Sequence, residues 1–388
     1  MRDHAYFDAD SGAIGELETL TSQRLDTDKV PHAVEVQASV PIYDMDALRP
    51  MLEEGQRRRA LMAEWAWVLG QGPGAVVLRK AYADTAPIDR ATAAFEAIIA
   101  REKAAGATGA DHFATAGSND RIWNSLQKLC LEEPETFALY FGNPVLDAIC
   151  EAWLGPFYQM TAQVNLVRPG GKAQSAHRDY HLGFQSAEVA ARFPAHVHAL
   201  SAVMTLQGAI AHCDMPLESG PTQLLPFSQL VPGGYMAYRR PEVAAYFRDH
   251  AIQLPLKKGD ALFFNPALYH AAGDNVSRDI NRMANLVQVS SAFGRAMEAV
   301  DRTAMCAALY PALGRLQAAR RLDAAEIHAA IAAAGEGYAF PTNLDTDPPA
   351  GGLAPESQAA LMARALAEGW SNEAFGAALV AQAGKRRP

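Results

Sequence analysis

Apolar and polar positions follow two different periods along this chain, and the change from one to the other divides it. Up to about residue 70, most clearly in "DMDALRPMLEEGQRRRALMAEWAWVLG", apolar side chains recur at three-to-four spacing among strong helix formers. This predicts a mainly helical extension over residues 1–71. A short β-prone run, "GPGAVVLRKAY", follows, and "PIDRATAAFEAIIAREKAAG" reads as an amphipathic helix closed by Gly106. "PETFALYFGNPVLDAICEAWLG" predicts another helix, interrupted near Pro144.

From Tyr158 the texture changes to short alternating runs separated by Gly, Pro and Asp. These are "YQMTAQVNLV", "HVHALSAVMTLQ", "PTQLLPF", "IQLPLKKGDALFF" and "MANLVQVSSAF", the pattern of an antiparallel sandwich or barrel. Beyond about Arg295 the chain turns alanine-rich and helical, broken by "FPTNLDTDPPAGGLAPES", which reads as a surface linker rather than a cover for a pocket. The organisation expected is therefore a mainly β domain with supporting helices over 72–295, between the 1–71 extension and a C-terminal helical extension over 296–388.

Composition narrows the function. The 388 residues suffice to bury a sizeable pocket, and 49% hydrophobic with 20% charged residues is ordinary for a globular protein. A net charge of -9 argues against nucleic acid and leaves a small molecule as the expected partner. The N-terminal "MRDHAYFDADSG" lacks a signal-peptide pattern, no apolar run is long enough to span a bilayer, and four scattered cysteines suit reduced thiols. The expectation is a cytoplasmic protein, in which a ferrous site survives. Oligomeric state leaves no mark in the sequence.

The densest chemistry lies in "SAHRDYHLGF". In an extended strand, positions i and i+2 share a face, so His177 and Asp179 can hold one metal ion while Arg178 points away. Two imidazoles and one carboxylate on one face of an octahedron form the arrangement of non-haem Fe(II) oxygenases. The best third ligand is His270, at the exit of the apolar strand in "KKGDALFFNPALYHAAGDN". Twelve positions later, Arg282 opens another alternating strand, where its guanidinium can pair with a carboxylate of a bound cosubstrate.

With HRD, "LESGPTQLLPFSQ", "GDALFFNPALYHAAGDN" and Arg282 in this order, the chain resembles the phytanoyl-CoA dioxygenase family of Fe(II)- and 2-oxoglutarate-dependent oxygenases. The resemblance is specific from about Tyr158 to Phe293, extends more loosely back to about Gly72, and is absent from the C-terminal helices. It implies a double-stranded β-helix (jelly roll, cupin-like) with helices packed outside. It also implies Fe(II) on His177, Asp179 and His270, 2-oxoglutarate on Arg282, and O2 at the remaining position. Hydroxylation of a small molecule, with release of succinate and CO2, is the implied reaction. Asp179 speaks against the halogenating branch, whose members lack this carboxylate. The interval from His270 to Arg282 is about one residue longer than the family's, which makes Arg278, in the turn "DNVSRD", a rival to Arg282.

Other residues are placed by parity and context. In "MTAQVNLV" the polar residues Gln163 and Asn165 share a face that looks into a cavity if helices cover the other side; Gln163 is assigned to the cosubstrate and Asn165 to the substrate. Gln207 and Trp123 are further candidates for that wall. In a continued strand His181 would share the face of His177 and Asp179; because "LGF" follows, the chain can leave extended geometry after Asp179, and His181 is assigned beside the metal or against the substrate, with plain packing as the equal alternative; Tyr180 reads as core. A second HxD, His212 and Asp214 in "AHCDMPLESGP", precedes a turn and reads as loop structure, with Asp214 bonding nearby backbone. His196 and His198 read as ordinary strand residues. The competing function is a non-redox metal protein on the same jelly roll, a hydrolase, isomerase or sensor, which has no use for a fixed cation opposite the metal.

Overall fold

The computed structural model describes residues 5–106, 119–349 and 351–387. Its strands are β1 (Glu35–Gln37), β2 (Val40–Asp44), β3 (Ala75–Arg79), β4 (Asn119–Ile122), β5 (Gln159–Val167), β6 (Thr205–Ala211), β7 (Gln223–Leu224), β8 (Ile252–Gln253), β9 (Ala261–Phe264), β10 (His270–Ala271) and β11 (Arg282–Ser290). Eight of them form a major sheet in the order β1-β2-β3-β9-β6-β11-β5-β4, and three form a minor sheet in the order β10-β7-β8. All pairs but β2–β3 are antiparallel.

Side-chain alternation divides the major sheet into two faces. Met160, Ala162 and Val164 of β5, Leu206 and Ile210 of β6, Ala261 and Phe263 of β9 and Val289 of β11 pack outward into the large core shared with the helices. Ala209 and Ala211 of β6, Leu262 and Phe264 of β9 and Ala284 of β11 face inward, where they meet Leu224, Leu254, Leu256 and Leu268 from the minor-sheet side. Because β11 lies between β5 and β6, its inward residues stand directly beside theirs: Ala284 beside Asn165 and Ala211, Leu286 beside Gln163 and Ala209, Gln288 beside Thr161 and Gln207. This is the expected jelly-roll core with helices outside. "Mainly β" describes that core; by residue count the chain is 46% helix and 15% strand, because long helices cover the outer face.

Those helices include Gly55–Gly70, Ala86–Ala104, Pro144–Leu154, Arg302–Ala318 and Ala324–Ala334. The break at Pro144 is a capped restart: Asn143 accepts from the Val145 amide at 2.9 Å, with Pro144 in the first turn, where no amide is needed. Two expectations need correction. Residues 1–71 are not helical alone, since β1 and β2 extend the major sheet through β3. The run from His196 is a helix, Ala195–Val203, and the strand begins only at Thr205. Its alternation is accidental: the protected positions, Val197, His198, Ser201 and Ala202, follow the helical period, and His198 is buried with Nε2 on the Ala190 carbonyl at 3.0 Å.

Candidate active site

Residues 174–179 run antiparallel to 266–272 and extend the minor sheet beyond β10. His177 and His270 exchange both backbone hydrogen bonds, at 3.0 and 3.2 Å, and the Asp179 amide donates to the Pro266 carbonyl at 2.9 Å. Residues 93 positions apart in sequence therefore stand opposite each other. The two imidazoles lie 4.4 Å apart between centroids. Nε2 of His177 is 3.8 Å from Oδ1 of Asp179, and Nε2 of His270 is 3.4 Å from Oδ2. Among the described residues these three form the one cluster of potential ligand atoms, all within 4.8 Å of one another.

The tautomers suit a metal. Nδ1 of His177 faces the Ser175 carbonyl and Nδ1 of His270 the Leu268 carbonyl, both at 2.8 Å. A carbonyl only accepts, so each Nδ1 carries the proton and each Nε2 turns its lone pair toward Asp179. Burial, joined by the neighbouring His270, lowers the His177 pKa and keeps the ring neutral. Burial alone would raise Asp179, but the histidines in their protonated form and the Gln207 amide outweigh it and hold the carboxyl well below the usual range. Imidazoles that carry their Nδ1 proton on a carbonyl and present Nε2, together with an ionised carboxylate, are the donors a divalent cation takes, so these residues fit an iron ion.

Arg178, with the opposite parity, locks the motif strand from behind. It is buried, donates through Nη2 to the carbonyls of Ser228 and Val231, and its guanidinium lies 5.1 and 4.8 Å from the rings of Tyr235 and Tyr269. Gly234 makes room for it, since a Cβ there would lie 2.0 Å from the guanidinium carbon.

The histidines and Asp179 open onto a cavity of about 880 Å³ between the sheets. Arg282 lines it, 6% exposed, with Nη1 donating to the carbonyls of Ser219 at 3.0 Å and Gly273 at 3.4 Å. Gly220, at φ +72°, makes the turn that presents the Ser219 carbonyl, and a Cβ there would lie 2.2 Å from the Asp274 oxygen. No carboxylate among the described residues pairs with Arg282, and burial lowers its pKa to about 10. Arg278 is exposed in its turn and does not line the cavity.

Gln163, Asn165, Gln207 and Trp123 all line the cavity. Gln163 accepts from Nη1 of Arg121 at 3.0 Å. Gln207 donates through Nε2 to Oδ2 of Asp179, which fixes its Oε1 as an acceptor. Oε1 of Gln207 and Oδ1 of Asn165 are buried without a hydrogen-bond partner. His181 is not on the cavity wall. The chain leaves extended geometry at Tyr180 (φ 65°) and His181 (φ 44°), which ends the alternation that would have aligned it with Asp179.

The second HxD is not brought to this site. His212 is buried behind the major sheet, with Thr92 Oγ1 on Nδ1 and the Tyr140 hydroxyl on Nε2, each at 2.8 Å, and burial pushes its pKa down to about 3. Asp214 accepts from the Lys258 amide at 3.0 Å. No described residue of 340–352 lines the cavity.

Arg121 and Gln288 went unread in the sequence, and Tyr180, read as core and buried, has a polar contact that the reading did not foresee. Arg121 lies on the cavity side of edge strand β4, paired in register with Asn165, its guanidinium 5.1 Å from the Trp123 ring. Gln288 has the same parity as Arg282 on β11, a signal that was available. Tyr180 reaches Gln288 across the sheets.

A sequence profile of the phytanoyl-CoA dioxygenase family matches residues 70–284. Among solved structures, the non-haem α-ketoglutarate-dependent carbocyclase SnoK of nogalamycin biosynthesis is 20% identical, with 58% of this chain and 83% of that one covered and a TM-score of 0.40. The epimerase SnoN in complex with Fe3+, α-ketoglutarate and nogalamycin RO is 18% identical over 60% and 84%, with a TM-score of 0.39. EvdMO1 is 20% identical over 59% and 50%, with a TM-score of 0.42. No curated protein matches the sequence. The family profile spans more than half of the chain, which therefore belongs to the phytanoyl-CoA dioxygenase family of Fe(II)-, 2-oxoglutarate- and O2-dependent enzymes.

Proposed function

We propose that this protein hydroxylates a polar small molecule, with His177, Asp179 and His270 as iron ligands and Arg282 as the residue that takes the distal carboxylate of 2-oxoglutarate. When bound, iron, 2-oxoglutarate and O2 supply an oxidant strong enough for an aliphatic C–H bond, with succinate and CO2 released. The observation that carries the reading is Arg282: a buried guanidinium on the wall of the same cavity as the three ligands, donating to two carbonyls and paired with no carboxylate among the described residues. A non-redox metal protein leaves that cation without a purpose.

The remaining wall residues then divide the work. Gln163, held by Arg121, offers its amide to the cosubstrate. The acceptors on Asn165 and Gln207 have no partner, and 2-oxoglutarate, which carries acceptors only, cannot satisfy them. A substrate with hydroxyl or amine hydrogens does. Retention of Asp179 leaves no open position for a halide, which favours oxygen insertion over halogenation. Residues 72–295 form the catalytic unit in this reading, with β1 and β2 completing its sheet and 296–388 bracing it from outside. The test is anaerobic addition of 2-oxoglutarate to the Fe(II)-loaded protein. A visible metal-to-ligand charge-transfer band is expected, and its absence with iron bound would overturn the assignment.

A further inference from the structure

The Asp179 carboxylate has a polar neighbour that is not one of the three potential ligands. Gln207 donates to its Oδ2 from β6, in the middle of the major sheet, whereas Asp179 belongs to the segment that extends the minor sheet. Gln288 stands directly across from Gln207 in β11. Tyr180, immediately after Asp179, donates its hydroxyl to Oε1 of Gln288, and the Gln207 side chain lies beside the same phenol. Two adjacent carboxamides of one sheet thus grip two adjacent residues of the other, one by its carboxylate and one by its phenol.

The backbone shows why a grip is needed. Tyr180 sits at φ 65°, ψ 151°, a conformation that a residue with a Cβ adopts only when its surroundings impose it. Its ring is 3% exposed, and its hydroxyl is placed by Gln288. Anchoring Tyr180 sets where the main chain turns away, and so where the Asp179 side chain starts. The Gln207 amide then sets how its carboxylate is rotated. With Oδ2 bonded to Gln207 and 3.4 Å from Nε2 of His270, the oxygen nearest His177 is Oδ1.

We propose that Gln207, Tyr180 and Gln288 form a positioning relay that orients Asp179 for the metal before the ion arrives. None of the three is a metal ligand; toward the metal each acts through Asp179, Gln207 by its amide nitrogen while its Oε1 stays available to the substrate. The inference rests on the iron-site reading above. Partners of this kind around a ligand carboxylate are worth about tenfold to a hundredfold in metal affinity.

The test uses the full chain and Co(II) alone, titrated under argon against a competing chelator. Gln207→Met keeps length and removes the donor; Tyr180→Phe removes only the hydroxyl. Gln207→Met is expected to weaken Co(II) binding about tenfold to a hundredfold, and Tyr180→Phe by a smaller factor, about threefold to tenfold. The visible Co(II) band should shift in both, because the carboxylate changes its binding mode. A purely structural role would leave that band in place in whatever protein still binds. In the Asp179→Ala background, where the two histidines keep a weaker site, Gln207→Met should change affinity by less than about twofold, since the donor has lost what it positions. Wild-type protein that fails to bind Co(II), or binding indifferent to Asp179→Ala, would overturn the metal site itself. Normal wild-type binding that weakens in Asp179→Ala, with wild-type affinity and spectrum in Gln207→Met and Tyr180→Phe, would overturn the relay alone.

Discussion

Replacing Arg282 by alanine separates cosubstrate recognition from fold maintenance, because the two roles predict opposite balances of loss. In the protein without cosubstrate the guanidinium is 6% exposed and has two carbonyl contacts, at 3.0 and 3.4 Å, and no carboxylate. Burial has already pulled its pKa to about 10, so the charge is held at some cost. Losing the two bonds destabilises, removing an uncompensated buried cation stabilises, and the sum should move the apo melting temperature by no more than about 2 °C. Binding suffers far more. A charge-assisted, bidentate pair with the 2-oxoglutarate carboxylate is worth about 2–4 kcal/mol, or roughly thirty-fold to a thousand-fold in Kd. Arg282→Lys should recover only part, as a point charge lacks the planar fork. The assay is anaerobic titration of the Fe(II) protein with 2-oxoglutarate, followed by the charge-transfer band. It is paired with the thermal shift induced by cosubstrate, which corresponds to about 2.7 kcal/mol at a hundred times Kd in the wild type. Unchanged affinity in Arg282→Ala, with affinity lost in Arg278→Ala, would refute the reasoning and transfer the role.

Alanine at His177, Asp179 or His270 should weaken Fe(II) binding strongly near neutral pH, measured by anaerobic equilibrium dialysis, and Asp179→Gly should end 2-oxoglutarate-dependent turnover; wild-type turnover in that variant would remove Asp179 from the site. Asn165→Leu removes a buried acceptor that has no partner, a group that costs about 1–3 kcal/mol when unsatisfied, so the apo protein should melt at the same temperature or higher; a clear fall would make Asn165 structural. For His212, burial sets the folded pKa near 3, below about 6.5 in the unfolded chain, so its contribution is complete above pH 6.5 and is lost as pH falls toward 3. Between pH 7 and 4.5 this amounts to about 2–3 kcal/mol, and His212→Gln should lose that part of the slope in chemical denaturation at the two pH values. An identical slope in the variant would contradict the assignment.

Much of the site was legible because strand parity is a strict rule. Gln163, Asn165 and Arg282 could be assigned to the cavity face from alternation, given helices on the other side, and Gln207 joined them only as a further candidate. Parity failed where the backbone stopped being a strand. The "LGF" after His181 already pointed to a departure from extended geometry, but not to where it begins: Tyr180 and His181, neither of them a glycine, both have positive φ, and His181 is carried off the cavity wall. His196 and His198 failed in the reverse direction, since a nine-residue helix with polar residues two apart imitates a strand. The contributions of β1 and β2 were hidden by brevity: strands of three and five residues leave too few alternations to stand out among helices. Arg121 was unread because a four-residue edge strand gives almost no period.

The two halves of the site belong to different sheets, and this explains why the polar groups sit where they do. The potential iron ligands lie on the minor-sheet side, where His177 and His270 are backbone partners. Arg282, Gln288, Gln207 and Asn165 ride on the major sheet. Within each sheet, hydrogen-bond register fixes relative positions closely, but nothing in the register of one sheet sets its distance from the other. That distance is set by apolar packing between them, including Leu224, Leu262, Phe264 and Leu268. Phe264 carries the argument to the metal site directly, its ring 4.7 Å from that of His270. A close-packed interior resists compression but gives no orientation about a side-chain bond. The hydrogen bonds from Gln207 to Asp179 and from Tyr180 to Gln288 supply that orientation, so the site needs both kinds of contact: apolar packing for its span and carboxamides for its alignment.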